Sequence, residues 1–198
     1  MAIDDRGRRR FLTAATGLMG GLGIAAVAVP FLSALKPSAR ARSAAAPVRV
    51  DISAIEPGQQ ITVKWRGKPV WILRRTPAMR RVLVSAALRG RLRDPDSEVV
   101  GQQPAYARNA LRSIRPEYLV LVGICTHLGC VPTFRPEKAP PDLGPDWPGG
   151  YFCPCHGSRF DFAGRVYKGV PAPTNLVVPP HSYSSGLEIV VGEEGGAA

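Results

Sequence analysis

"CTHLGC" at 125–130 and "CPCHGS" at 153–158 hold all four cysteines of the chain and two of its three histidines. The spacing is Cys125-x-His127-x2-Cys130, then 22 residues, then Cys153-x-Cys155-His156. Four cysteines suffice for a disulfide framework, but that reading leaves the histidines incidental. A structural zinc site is a second option, although zinc modules usually present each ligand pair two to four residues apart and Cys-x-His is an awkward first pair. A third option uses both histidines and two of the cysteines as ligands, and it depends on the surrounding fold.

Immediately before the first box, "EYLVLVGI" at 117–124 follows Pro116 and reads as a strand that delivers the chain into it. Farther upstream, "VRVDI", "QQITVKW" and "KPVWILRR" between Val48 and Arg75 are separated by the turn-like "EPGQ" and "RGK", which predicts strands pairing antiparallel. Met79, Val82, Leu83 and Ala86 fall at helical spacing in "PAMRRVLVSAAL", and "GRLRDPDSE" breaks the run. The 20 prolines and 21 glycines, dense after residue 115, favour short strands joined by turns. The expectation is a mostly β domain, and 45% hydrophobic residues supply enough apolar surface for a core.

The N-terminus has a different character. From Phe11 to Leu35 no residue is charged, a helix of about 37 Å at ~1.5 Å per residue, enough to cross a hydrocarbon layer of roughly 30 Å. Residues 11–35 are therefore predicted as one transmembrane anchor. Arg6, Arg8, Arg9 and Arg10 precede it and place residue 1 in the cytoplasm by the positive-inside rule, with the main domain outside. Arg8 and Arg9, followed by Arg10, Phe11 and Leu12, resemble a twin-arginine export signal, which makes residues 1–10 a cytoplasmic twin-arginine-like segment. Small-x-small triplets at 39–41 and 44–46 fit cleavage, but the apolar stretch exceeds the ~7–15 residues of a signal core, so retention is expected. "KPSARARSAAAP", 36–47, reads as a flexible tether, and 195–198 as a tail.

Net charge is +11, but no basic and aromatic stripe accompanies it, and nucleic acid is not expected as a partner. The basic residues between Arg74 and Arg115 read first as a solvated helical face and second as a docking surface.

Cys-x-His with Cys-x-x-His is the ligand pattern of a Rieske [2Fe-2S] centre. Together with the arginine-rich start, single anchor, tether, "CPCHGSRFD" and "GRVYKGVPAPTNL", nearly the whole chain resembles the Rieske iron–sulfur subunits of bacterial cytochrome bc1 complexes. The resemblance implies an antiparallel β-sandwich domain over 48–194, with a small cluster-binding subdomain at about 121–162. It implies one [2Fe-2S] cluster, with Cys125 and Cys153 on the inner iron, His127 and His156 on the outer, and a Cys130–Cys155 disulfide linking the cluster loops. It further implies a bacterial inner-membrane, single-pass protein with a periplasmic domain, in a dimeric complex with cytochrome b and cytochrome c1.

In that resemblance His156 hydrogen-bonds quinol and accepts its proton, with His127 beside it, and the electron passes to cytochrome c1. Leu128 lies at the tip against cytochrome b, and Pro171 and Pro173 belong to a loop that covers the cluster. Ser158 matches a serine that donates to a bridging sulfide, whereas Phe160 stands where a tyrosine is common, which implies a lower midpoint potential. The small subunit of a periplasmic arsenite oxidase resembles the pattern too, and a zinc or disulfide-stabilised binding module is the non-redox alternative. His181, Trp65, Trp71 and Trp147 read as packing or surface residues, and "RPEKAPPDLGPDW" as a decoration of the cluster subdomain.

Overall fold

The structure, a computed structural model, describes residues 5–44 and 46–193. The expected tail 195–198 and the first four residues of the arginine-rich segment lie outside the described residues. The chain forms two compact units, 1–43 and 44–198.

In the first unit, helix α1 (Asp5–Ala34) is long and apolar enough to cross a membrane, and none of its described residues is buried. It starts before the uncharged stretch and carries the arginines Arg6, Arg8, Arg9 and Arg10 on its first turns. Pro30 lies inside it, and the Ser33 hydroxyl donates to the Pro30 carbonyl at 2.8 Å. A short helix, α2 (Ala39–Ala44), falls within the stretch read as a tether.

The second unit is built on strands, and two of them explain its layering. In β3 (Lys68–Arg74) and β4 (Tyr118–Val122) the apolar residues run without interruption, so both faces must be covered. Alternation along the strands assigns the faces. Val70, Ile72, Tyr118, Val120 and Val122 enter one apolar cluster, while Trp71, Leu73, Leu119 and Leu121 enter another. Each large apolar side chain buried this way contributes about 1.5–3 kcal/mol.

These two strands form the middle layer with β2 (Gln60–Trp65), in the order β2-β3-β4, all antiparallel. One face packs against a second antiparallel sheet of β1 (Val48–Asp51), β8 (His181–Ser185) and β9 (Glu188–Val191). Val50, Tyr183, Ile189 and Val191 meet β3 and β4 there, completing the sandwich. Pairing of β1 departs from the expectation drawn from its neighbours: its partner is β9, with Val48 opposite Val191, rather than β2. The segment from Ile52 to Gln59 carries the chain from one sheet to the other, with Ile52 and Ile55 buried between them.

The opposite face carries the strands that flank the two cysteine–histidine boxes. A small sheet of β5 (Thr133–Arg135), β6 (Gly150–Phe152) and β7 (Arg159–Phe160) packs there. Trp71 of β3 stacks on Tyr151 of β6, ring centroids 4.9 Å apart, and the Tyr151 hydroxyl donates to Gln60 at 2.9 Å. The apolar run after Arg75 is two helices rather than one: α3 (Pro77–Leu83) and α4 (Ala86–Arg91). Ser85 separates them, donating to the Val82 carbonyl and accepting from the Leu88 N–H as the cap of α4.

Reading the basic residues of 74–115 as solvated fails at Arg75 and Arg112, which are buried. Arg75 donates to the carbonyls of Leu111 and Pro116 and to the Ser113 hydroxyl. Arg112 donates to the carbonyls of Ala163 and Gln102 and to the Gln103 side chain. Burial lowers both guanidinium pKa values to about 10, so both remain cations at neutral pH. Trp65, Trp71, Trp147 and His181 are buried, which suits the packing reading. The insert after β5 docks Leu143 and Trp147 into the core, and outside it Arg135 forms a bidentate pair with Asp142.

Candidate metal centre

Both boxes fold into the same closed loop. In the first, the Cys125 N–H donates to the Cys130 carbonyl at 2.7 Å, and the Gly129 N–H returns to the Cys125 carbonyl at 3.1 Å. In the second, the Cys153 N–H donates to the Ser158 carbonyl at 2.8 Å, and the Gly157 N–H returns to the Cys153 carbonyl at 2.9 Å. The pattern repeats residue for residue: the first cysteine bonds five residues ahead, and a glycine four residues ahead bonds back. Gly129 and Gly157 take φ of 85° and 76°, the left-handed region that a side chain disfavours. β4 leads into the first loop and β6 into the second, and β7 leads out of the second.

Each loop presents one buried, unbridged cysteine, Cys125 and Cys153. The histidine rings of His127 and His156 stand edge to face with centroids 4.8 Å apart, His156 exposed and His127 half-buried. Cys130 and Cys155 are joined by a disulfide across 25 residues. The Sγ atoms of Cys130, Cys153 and Cys155 lie within 4.8 Å of one another, but two of those sulfurs are committed to the bridge. Cys125 and Cys153 therefore supply the free sulfurs of the two loops. Burial pushes the Cys153 thiol pKa up and Cys125 beside it adds to the rise, while backbone groups of Cys155 and His156 pull it down. A thiolate in this setting suits a metal in place of the proton. Two sulfur and two imidazole donors are the donor set of a Rieske cluster.

The proline-containing loop 170–174 is tied to both boxes. Ser158 is buried, and its hydroxyl oxygen accepts from the Ala172 N–H at 3.0 Å, between Pro171 and Pro173. That bond uses a lone pair and leaves the Ser158 hydrogen free to donate elsewhere. From the first box, the Thr126 hydroxyl donates to the Thr174 carbonyl at 2.7 Å. Pro171 and Pro173 are exposed on either side of the buried Ala172, and Leu128, between His127 and Gly129, is 71% exposed. Phe160 is fully buried in β7.

Sequence reasoning did not single out Thr126, whose partner lies 48 residues away. It also passed over Asp161 and Arg165, which form an ion pair 2.7 Å long with both side chains 1% exposed. Their four-residue spacing was a usable signal, whereas nothing local marks Arg75 or Arg112 as buried.

The chain matches two family profiles: "Ubiquitinol-cytochrome C reductase Fe-S subunit TAT signal" over residues 3–38, and "Rieske [2Fe-2S] domain" over residues 48–180. It is 58% identical over 191 residues to the ubiquinol-cytochrome c reductase iron–sulfur subunit of Allochromatium vinosum, covering 96% of this chain and 91% of that one. The corresponding subunit of Blastochloris viridis is 43% identical, covering 93% and 92%. A mitochondrial Rieske subunit of the cytochrome b-c1 complex from Solanum tuberosum is 47% identical over 149 residues, 75% of this chain and 48% of that one. With the paired loops, the disulfide and these relatives in agreement, the chain belongs to the Rieske iron–sulfur subunits of the bc1 complex and carries one [2Fe-2S] cluster.

Proposed function

We propose that Cys125 and Cys153 hold one iron and His127 and His156 the other, and that the chain takes an electron and a proton from quinol and passes the electron to cytochrome c1. The observation that carries this reading is the meeting of two free, buried cysteines and two apposed imidazoles on a pair of matching loops. When bound, the cluster supplies a one-electron acceptor, with a potential of roughly −150 to +300 mV against about −400 mV for all-thiolate plant-type centres, because neutral imidazoles replace two thiolate charges.

The side chains then divide the work. His156 is exposed, and with the cluster bound its ring nitrogen away from iron would have to be deprotonated, the imidazolate form, to accept the quinol hydroxyl hydrogen bond and then the proton, which returns the ring to the neutral imidazole. His127, half-buried against it, fixes the second imidazole. Ser158 holds the loop at Ala172 through its oxygen, and with the cluster bound its free hydrogen would be available to donate to a cluster sulfur, with Pro171 and Pro173 keeping water away. Helix α1 anchors the chain in the inner membrane in a single pass, with the N-terminal arginines cytoplasmic and 48–194 periplasmic. The assembly is a dimer containing cytochrome b and cytochrome c1. The relatives' names favour this reading over an arsenite-oxidase subunit.

The deciding experiment is electron paramagnetic resonance on the cluster-loaded full-length chain in detergent, before and after ascorbate. A Rieske-type signal with this mild reductant is expected. Iron-free, zinc-containing protein without a signal would overturn the redox reading, and a signal seen only with dithionite would remove quinol as the donor.

Two substitutions probe the roles of single side chains. Leu128 places an exposed apolar group where cytochrome b docks, so Leu128→Glu in the assembled complex should slow quinol oxidation at least about tenfold, the cost of desolvating one charge at an interface. Its resonance spectrum should stay native, and a rate within about twofold of native would remove Leu128 from docking. Phe160→Tyr adds a hydroxyl able to donate to a ligand sulfur. One charge-assisted bond favouring the reduced form by about 1.4 kcal/mol raises a one-electron midpoint by about 60 mV. A redox titration showing no rise would mean that residue 160 does not tune the centre.

A further inference from the structure

Beside the second cluster loop lies a cavity of about 430 Å³ lined by Arg91, Gly157, Arg159, Tyr167, Lys168, Gly169 and Val170. Three of these residues are cations, and no carboxylate joins them. Arg91 lies over the Tyr167 ring, 5.2 Å from its centroid, and donates to the Asp146 carbonyl at 2.6 Å. Lys168 donates from Nζ to the Gly90 carbonyl at 2.9 Å. Both are held by neutral carbonyls, and neither takes part in an ion pair among the described residues. Arg159 is half-buried and takes part in none of the ion pairs among the described residues.

Tyr167 adds an independent sign of a missing acceptor. It is 4% exposed, and its buried hydroxyl has no hydrogen-bond partner. An orphaned buried hydroxyl costs about 1–3 kcal/mol, a cost that an acceptor brought to this wall of the cavity would relieve if the ring shifted toward it. Burial also pushes the Tyr167 pKa up, which keeps it a donor.

Position in the chain indicates who brings the acceptor. Gly157 lies between His156 and Ser158, and Val170 directly precedes Pro171, so the cavity adjoins the end at which the exposed histidine meets other molecules. We propose that this cavity is a docking socket for an acidic side chain on the cytochrome that receives the electron. The incoming carboxylate is held by Arg159 and Lys168, the two cations of the cavity nearest in sequence to the second box. Three converging cations repel one another, and one carboxylate relieves that repulsion while fixing the register of the domain on its acceptor. The proposal rests on the redox reading above, but its residues are separate from the cluster ligands.

The test uses the assembled complex with Arg159→Gln and Lys168→Gln combined, and Tyr167→Phe separately. The resonance spectrum and midpoint potential report the cluster and therefore the redox reading, while single-turnover cytochrome reduction across ionic strength reports docking. The native rate should fall as salt rises. The double variant should be about tenfold slower at low salt, with a flattened salt dependence and a native spectrum and potential. Tyr167→Phe should slow transfer by a smaller factor and keep the salt dependence.

A double variant with native rate and native salt dependence overturns the proposal. So does a native salt dependence that vanishes when anionic lipid is replaced by neutral lipid, because the occupant is then a headgroup. A third contrary result is inorganic phosphate raising the unfolding temperature of the full-length chain while the variant complex transfers normally, which marks a free-anion site. Loss of the resonance signal in all proteins, native included, would instead count against the redox reading.

Discussion

Asp161→Asn should lower the thermal unfolding midpoint of the full-length, cluster-loaded chain by about 10 °C, with cluster absorbance lost in the same transition. Asp161 is the one buried acid among the described residues, whereas Arg75, Arg112 and Arg165 are all buried there. Its Oδ1 accepts from the N–H groups of Ala163 and Arg165, each at 2.8 Å, and its Oδ2 accepts from Arg165 Nε at 2.7 Å. Asparagine can keep the first oxygen in place. Its amide nitrogen would then face Arg165 Nε, donor against donor, and the only buried carboxylate charge among the described residues would be gone. Breaking a buried pair from one side costs about 3–5 kcal/mol, and for a domain of this size each kcal/mol shifts the midpoint by about 2–4 °C.

The companion substitutions show whether the effect belongs to the pair. Asp161→Asn with Arg165→Met should recover part of the loss by removing the stranded cation. Recovery stays incomplete because Arg165 also donates to the Leu83 carbonyl at 2.7 Å and to the Pro95 carbonyl. Glu188→Gln cuts an exposed pair with Arg49 and should leave the midpoint unchanged. A shift from Asp161→Asn no larger than that from Glu188→Gln would mean that water reaches the pair and the burial argument fails.

That pair also marks where reading the sequence stops. The two boxes were legible because their chemistry lies in residue types at fixed spacing, and the disulfide that the resemblance implied is present. β3 and β4 were legible because uninterrupted apolar runs bounded by turns have few other solutions. Pairing of β1 with β9 was not, because it joins residues about 140 positions apart and is decided by which sheet buries Val50. Val82 to Ala86 keeps a helical apolar spacing across Ser85, so periodicity alone gave no sign of the break that the cap imposes. Arginine is read from sequence as a surface residue, yet Arg75 and Arg112 are buried because backbone carbonyls of loops distant in sequence converge on them. The ties of Thr126 and Ser158 to the proline loop belong to the same class: local sequence offers a hydroxyl, and tertiary structure supplies its partner.

Those ties sharpen the expectation for the disulfide. Replacing Cys130 and Cys155 together by serine should destabilise the cluster-binding end by about 3.5 kcal/mol, the chain-entropy value for a closed loop of this length. Both must change, because a single substitution leaves a thiol within reach of the Cys153 sulfur, as the three Sγ atoms lie within 4.8 Å of one another. Each box keeps its own backbone bonds without the bridge, and Thr126 and Ser158 still hold the proline loop. What weakens is the restraint between the two boxes, which keeps the ring of His127 against that of His156. If the full 3.5 kcal/mol appears in the opening of the two loops, the open population rises by about 300-fold, since each 1.4 kcal/mol is tenfold. The double-serine protein should therefore assemble its cluster when purified gently but lose the visible absorbance and resonance signal on warming at least tenfold faster than the native chain. Reducing the native protein with dithiothreitol should produce the same acceleration without any substitution. Loss rates within about threefold of native in both tests would show that the proline-loop ties and the cluster ligands hold the boxes together without the bridge.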